Sequence, residues 1–115
     1  MFYQGREYTK RALMAYVGNI RQLAGVERLR IAEGNADGAA LIRVYNGSGM
    51  EFTLVESRCL DMLSMTYRGM PLNFLSKNGL VFPLRYQPFD ADDTLKYLTG
   101  GMFYTCGAAN VGWEC

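Results

Sequence analysis

The sequence contains no histidine. A cysteine nucleophile in it would lack the usual base that forms its thiolate, and a zinc site would lack an imidazole ligand. Cysteine itself is scarce. Cys59, Cys106 and Cys115 are odd in number and far apart, which does not resemble a secreted disulfide framework or a paired zinc motif. Reduced thiols and a cytoplasmic location are expected. No apolar run has the length of a signal peptide or a bilayer span, so no membrane partner is expected. Charge is also balanced, with 12 Lys and Arg against 11 Asp and Glu. No basic stripe follows any predicted element, which argues against nucleic acid.

What remains is a chain able to form one core. Half of its residues are hydrophobic and 20% are charged, a composition too apolar for intrinsic disorder. The 13 glycines fall between apolar stretches as turn markers. There is no internal repeat, linker or low-complexity segment.

One early segment reads as a helix. Thr9 is placed to cap it, Lys10 to Val17 fill two turns, and Gly18 is the expected stop. From Gln22 onward the period changes to two. Leu29 and Ile31 alternate with Arg28 and Arg30, and Ala40, Ile42 and Val44 alternate with Leu41, Arg43 and Tyr45. Asn46-Gly47-Ser48-Gly49 signals a hairpin, because Asn and Gly accept left-handed backbone angles. Met50, Phe52 and Leu54 then share a face opposite Glu51 and Thr53, followed by Leu63, Met65 and Tyr67. A turn at Arg68-Gly69 leads to a short strand near Leu72–Phe74. A second helical turn is expected from Asp92 or Asp93 to Leu98, and a last strand at Met102–Thr105. This is a mostly β chain, an antiparallel meander with one buried face and one or two short helices.

An ordered series of motifs goes further. Asn19-x-x-Gln22-Leu23-Ala24-Gly25-Val26 precedes Glu33-Gly34-x-Ala36-x-Gly38 and Gly47-Ser48-Gly49-Met50-x-Phe52. Arg58-x-x-Asp61-Met62 and Arg68-Gly69-Met70-Pro71-Leu72 follow. Pro83, Gly100-Gly101 and Thr105-Cys106-Gly107-x-x-Asn110-Val111-Gly112 complete the series. In this order and spacing the chain resembles the N-terminal part of a bacterial aldose 1-epimerase-like (galactose mutarotase-like) family. The resemblance implies that residues 1–115 are a single, incomplete N-terminal segment of a galactose mutarotase-like domain. It further implies a β-supersandwich, a hexose or related sugar as small-molecule ligand, and no cofactor. Two positions depart from the family pattern: Cys59 stands where glycine is usual, and Ala108 where leucine is usual.

Mutarotation needs a base for the anomeric hydroxyl proton and an acid for the ring oxygen, both with pKa values near neutrality. In the epimerases that the chain resembles, the acid is a histidine and the base a late carboxylate. Neither that histidine nor that late region is in this sequence, so these residues alone are expected to be inactive. A complementing C-terminal segment is then the expected partner. The alternative expectation is a non-catalytic β binding module that becomes a homo-oligomer through its open sheet edge.

Arg58 and Asp61 are the first site candidates. Arg58 can bind sugar hydroxyls while Asp61 orients it, or the two can form an ion pair that pins a turn. Asn110 and Trp113 are candidates for lining a sugar cleft, the indole as a platform and the amide as a reader of hydroxyls. A loop cap and a core aromatic are the competing roles. Asn73, with Ser76 and Lys77, lies in a loop that can reach a ligand. Cys106 reads as a buried core thiol. Asp90, Asp92 and Asp93 lack the spacing of a calcium loop and suit helix capping; no metal site is expected.

Overall fold

The structure is a computed structural model, which describes residues 1–82 and the two-residue strand Thr99–Gly100. The helix expected before Leu98, the strand expected at Met102–Thr105, and Cys106, Asn110 and Trp113 lie outside the described residues.

The chain opens with a small hairpin that sequence periodicity does not announce. Strands β1 (Phe2–Tyr3) and β2 (Arg6–Glu7) pair antiparallel around Gln4 and Gly5, both at positive φ. Such a turn matches the twist of the strands it joins. The Met1 ammonium and the Tyr8 amide close the open end through each other's carbonyls at 2.9 and 2.8 Å.

Helix α1 spans Lys10–Met14, three residues shorter at its end than the pattern predicts. Thr9 caps it as expected, its hydroxyl accepting from the Ala12 amide at 3.2 Å. The end comes early because Ala15 and Tyr16 bond back three residues, to Ala12 and Leu13, which tightens the last turn. Only Leu13 is buried along this helix, whereas Tyr16 is 83% exposed. Met14 and Tyr16 are both exposed, so another turn would gain little tertiary support.

A single turn of 3-10 helix at Ile20–Gln22 then leads into the sheet. Asn19 and Gln22 cap it reciprocally: Oδ1 of Asn19 accepts from the Arg21 amide, and Oε1 of Gln22 accepts from the amides of Gly18 and Asn19. The Asn19-x-x-Gln22 spacing in the sequence is this cap.

Five consecutive strands form one antiparallel meander: β3 (Gly25–Arg30), β4 (Ala40–Tyr45), β5 (Met50–Val55), β6 (Asp61–Tyr67) and β7 (Met70–Pro71). The fold class is therefore mostly β, as the alternation predicts. Pairing places Val26, Val44, Phe52 and Met65 in one row across four strands. On the opposite face Glu27, Arg43, Thr53 and Ser64 make the matching row. One face is thus apolar and the other polar along the middle of the sheet. The deepest burial lies elsewhere. Val55 is fully enclosed, and Leu41 beside it is 8% exposed. Both sit at the end of the polar face, in the row Leu29, Leu41, Val55 and Asp61. The end of the polar face thus buries Leu41 and Val55 beside the acidic Asp61, while Leu29 at the outer strand stays exposed.

The β5–β6 pairing carries a bulge. Thr53 faces Ser64 while Leu54 faces Met62, leaving Leu63 as the extra residue. Where one strand near Leu72–Phe74 is expected, the structure has β7 and a separate pair, β8 (Phe74–Leu75) with β9 (Thr99–Gly100). The interruption is Asn73. Its Oδ1 accepts from the Met65 amide at 2.9 Å and its Nδ2 donates to the Leu63 carbonyl at 2.6 Å. A side chain thereby satisfies two backbone groups that a continuing β7 would have taken.

Candidate functional site

The connection from β5 to β6 is the one turn among the described residues with two consecutive non-glycine residues at positive φ. Glu56–Arg58 form one turn of 3-10 helix, then Cys59 and Leu60 both take left-handed angles, φ 52° and 64°. The Leu60 amide bonds to the Val55 carbonyl at 3.0 Å, six residues end to end. This is the closure that normally places glycine at the left-handed position. Consecutive left-handed residues with side chains cost roughly 1–2 kcal/mol each. The left-handed angle at Cys59 is one that glycine adopts without a Cβ penalty.

Three successive side chains tie this turn to three different strands. Glu56 pairs with Arg28 of β3 at 2.9 Å. The Ser57 hydroxyl accepts from the Ala40 amide at the start of β4 at 3.1 Å. Arg58 pairs with Asp61 at the start of β6 at 3.6 Å. A strained turn persists when its surroundings over-determine it, and such turns gather at ligand clamps.

Within this arrangement Arg58 and Asp61 come together as an ion pair, the turn-pinning alternative that the sequence left open beside ligand binding. The Asp61 side chain is 7% exposed and that of Arg58 is 25% exposed. The Asp61 carboxylate is therefore buried, and the Arg58 side chain is partly exposed. At 3.6 Å the contact is an ion pair longer than a hydrogen bond. A guanidinium presents five N–H donors in a planar fork, a geometry suited to adjacent oxygen acceptors.

Asn73 stands differently. Its amide is engaged with the backbone of β6, and more weakly with the Phe74 carbonyl at 3.4 Å. That geometry makes it a plug for the sheet edge. Ser76 is buried and Lys77 is exposed in the following turn. Asn110 and Trp113 lie outside the described residues.

A second charged group escaped the sequence reading. Arg43 lies between Glu51 at 2.7 Å and Glu27 at 3.1 Å, and its guanidinium stacks 4.9 Å above the Tyr45 ring. Arg21 extends the row to Glu27 at 3.4 Å. Glu27 is directly opposite Arg43, whereas Glu51 is reached on the diagonal. Its signal was available: opposite charges at same-face positions across two predicted hairpins. The hydrogen bond from Arg43 holds the Glu51 carboxyl below its ordinary value; burial opposes it, and the charge of Arg43 adds a smaller lowering. The same bonds to Glu51 and Glu27 raise the Arg43 guanidinium. These charges are mutually neutralised, which suits a surface that holds strands together more than one that receives a ligand.

Among the described residues there is no group of three His, Cys, Asp or Glu side chains placed to hold a metal ion. No described helix is long and apolar enough to cross a membrane.

Residues 36–115 match the family model described as Domain of unknown function (DUF4432). The chain belongs to this family. The matched stretch contains β4 to β9 and the whole strained turn, while β1 to β3 precede it. No curated protein and no solved structure matches the chain.

Proposed function

We propose that this DUF4432 chain is a carbohydrate-binding, aldose 1-epimerase-like segment that holds a hexose at the Arg58–Asp61 turn. The observation that carries the reading is the strained Cys59–Leu60 backbone between those two residues, held by ties to three strands. Folding tolerates such strain where a fixed side-chain geometry is needed. Here the side chain so fixed is the partly exposed Arg58, whose planar fork matches a pair of neighbouring sugar hydroxyls. Asp61 sets its orientation from within the sheet.

Anomer exchange proceeds in two proton transfers. A base removes the anomeric hydroxyl proton as an acid protonates the ring oxygen, and the bond between the anomeric carbon and that oxygen breaks. The resulting aldehyde rotates and the ring recloses on its other face. Arg58 serves this chemistry by binding and orienting, since its guanidinium stays protonated and cannot act as acid near neutrality. The histidine acid of the epimerases that the chain resembles has no counterpart in a sequence without histidine. We assign no proton-transfer step to these residues.

The competing reading is a self-associating β module. The charge pattern of β3 weighs against its use as the pairing edge. Pairing two copies about a two-fold axis normal to the sheet sets Glu27 against Glu27, Arg28 against Arg28, or Arg28 against Arg30 when the axis is centred on Glu27, Arg28 or Leu29. Like charges directly opposite destabilise a strand pair.

The test is titration of the 115-residue protein with D-galactose and D-glucose, followed by calorimetry and by anomer exchange in solution. Saturable binding that Arg58→Met abolishes supports the reading, with exchange no faster than in buffer. An unchanged affinity in Arg58→Met overturns it.

A further inference from the structure

Glu56 and Ser57, the two residues before Arg58, each tie the turn to a neighbouring strand, Glu56 to Arg28 of β3 and Ser57 to Ala40 of β4. We propose that Glu56 and Ser57 are positioning residues that fix the Arg58 guanidinium for its ligand, an inference that rests on the sugar-binding reading of the same turn. Three observations support it. The Arg28–Glu56 pair has side chains 75% and 41% exposed, so it contributes little to global stability. The Ser57 hydroxyl takes the Ala40 amide at 3.1 Å, so the turn is registered against the first residue of β4. The two left-handed residues that follow set the chain direction immediately after Arg58.

The consequence reaches beyond the family-matched stretch. Arg28 lies in β3, ahead of residues 36–115. The N-terminal strand thereby bears on the site through one exposed ion pair. In this scheme residues 1–35 supply a partner that tunes ligand affinity without touching the ligand.

The experiment compares the 115-residue protein with the Glu56→Gln, Ser57→Ala double variant, with Ser57→Thr, and with Arg28→Ala. Three quantities are measured: the order of the Arg58 Nε–H by NMR relaxation without sugar, the affinity for D-galactose, and the urea midpoint. The expected result is a loss of Arg58 side-chain order and about tenfold weaker galactose binding in the double variant, since small misplacements of a positioned group are costly. The urea midpoint should move little, Ser57→Thr should restore order, and Arg28→Ala should reproduce part of the loss from a fully surface position. Unchanged Arg58 order in the double variant and in Arg28→Ala overturns the proposal, as does order lost equally at every amide. Arg58 order that falls in a protein that binds no galactose supports the positioning role and sinks the sugar reading.

Discussion

Two turns flank β5 and solve the same problem by opposite means. The β4–β5 turn needs left-handed backbone, and it has glycine there: Gly47 at φ 74° and Gly49 at φ 95°. Asn46 completes it by accepting from the Ser48 and Met50 amides at 2.8 and 3.2 Å. The Ser48 hydroxyl donates to the Phe2 carbonyl, which anchors the first hairpin. The β5–β6 turn also needs left-handed backbone, but Cys59 and Leu60 occupy it. Local chemistry stabilises the first turn, whereas ties from Glu56, Ser57 and Arg58 hold the second in place. A turn built from suitable residues tells us about folding. A turn built against residue preference, and then tied to three strands, points to function.

The contrast can be broken most severely at Asp61. Replacing Asp61 by Ala leaves Arg58 beside a buried row without its carboxylate. The expected loss is about 2–3 kcal/mol in urea unfolding, below the value for a fully enclosed pair because Arg58 is partly exposed. A loss under half a kcal/mol would mean that the pair does not anchor the turn.

Next comes Gly47→Ala. A Cβ there meets the Leu23 carbonyl oxygen at 3.0 Å and the Met1 methyl at 2.9 Å, on a backbone that already disfavours it. About 2 kcal/mol of destabilisation is expected. The mirror experiment, Cys59→Gly, should stabilise by about 1 kcal/mol through relief of left-handed strain. Together these two substitutions measure the same backbone preference with opposite signs. A Cys59→Gly variant that is less stable than the parent would contradict the strain.

The smallest effect belongs to the polar row. Glu51 has a lowered pKa in the folded protein because Arg43 bonds and attracts it. Its contribution is therefore complete above its ordinary value of about 4.5 and disappears as pH falls through the lower folded-state value. Urea midpoints measured from neutral pH downward should fall less steeply in Glu51→Gln. Both side chains are substantially exposed, so the difference should be small and should shrink further in high salt.

Much of the fold was legible because its signals are local. Thr9 before an apolar helix face, Asn46 to Gly49 between alternating runs, and Arg68-Gly69 before β7 each carry their conformation in a few neighbouring residues. The shortened α1 was not legible, because its end depends on what Met14 and Tyr16 fail to bury. Asn73 could not be read as an edge plug, since its partners Leu63 and Met65 depend on a bulge formed in the pairing of β5 with β6. The Arg58–Asp61 proximity followed from spacing. The ties through Glu56 and Ser57 depend on the β3–β4 register, and the left-handed angle at Cys59 runs against what a cysteine suggests.

The most direct test of the central claim is a residue-resolved NMR titration with D-galactose into the millimolar range. The account predicts saturable shifts at the Arg58 Nε–H and at the amides of Arg58 to Asp61, with Gly47 to Met50 unmoved. No saturable shift at Arg58, or shifts confined to other surfaces, would contradict it.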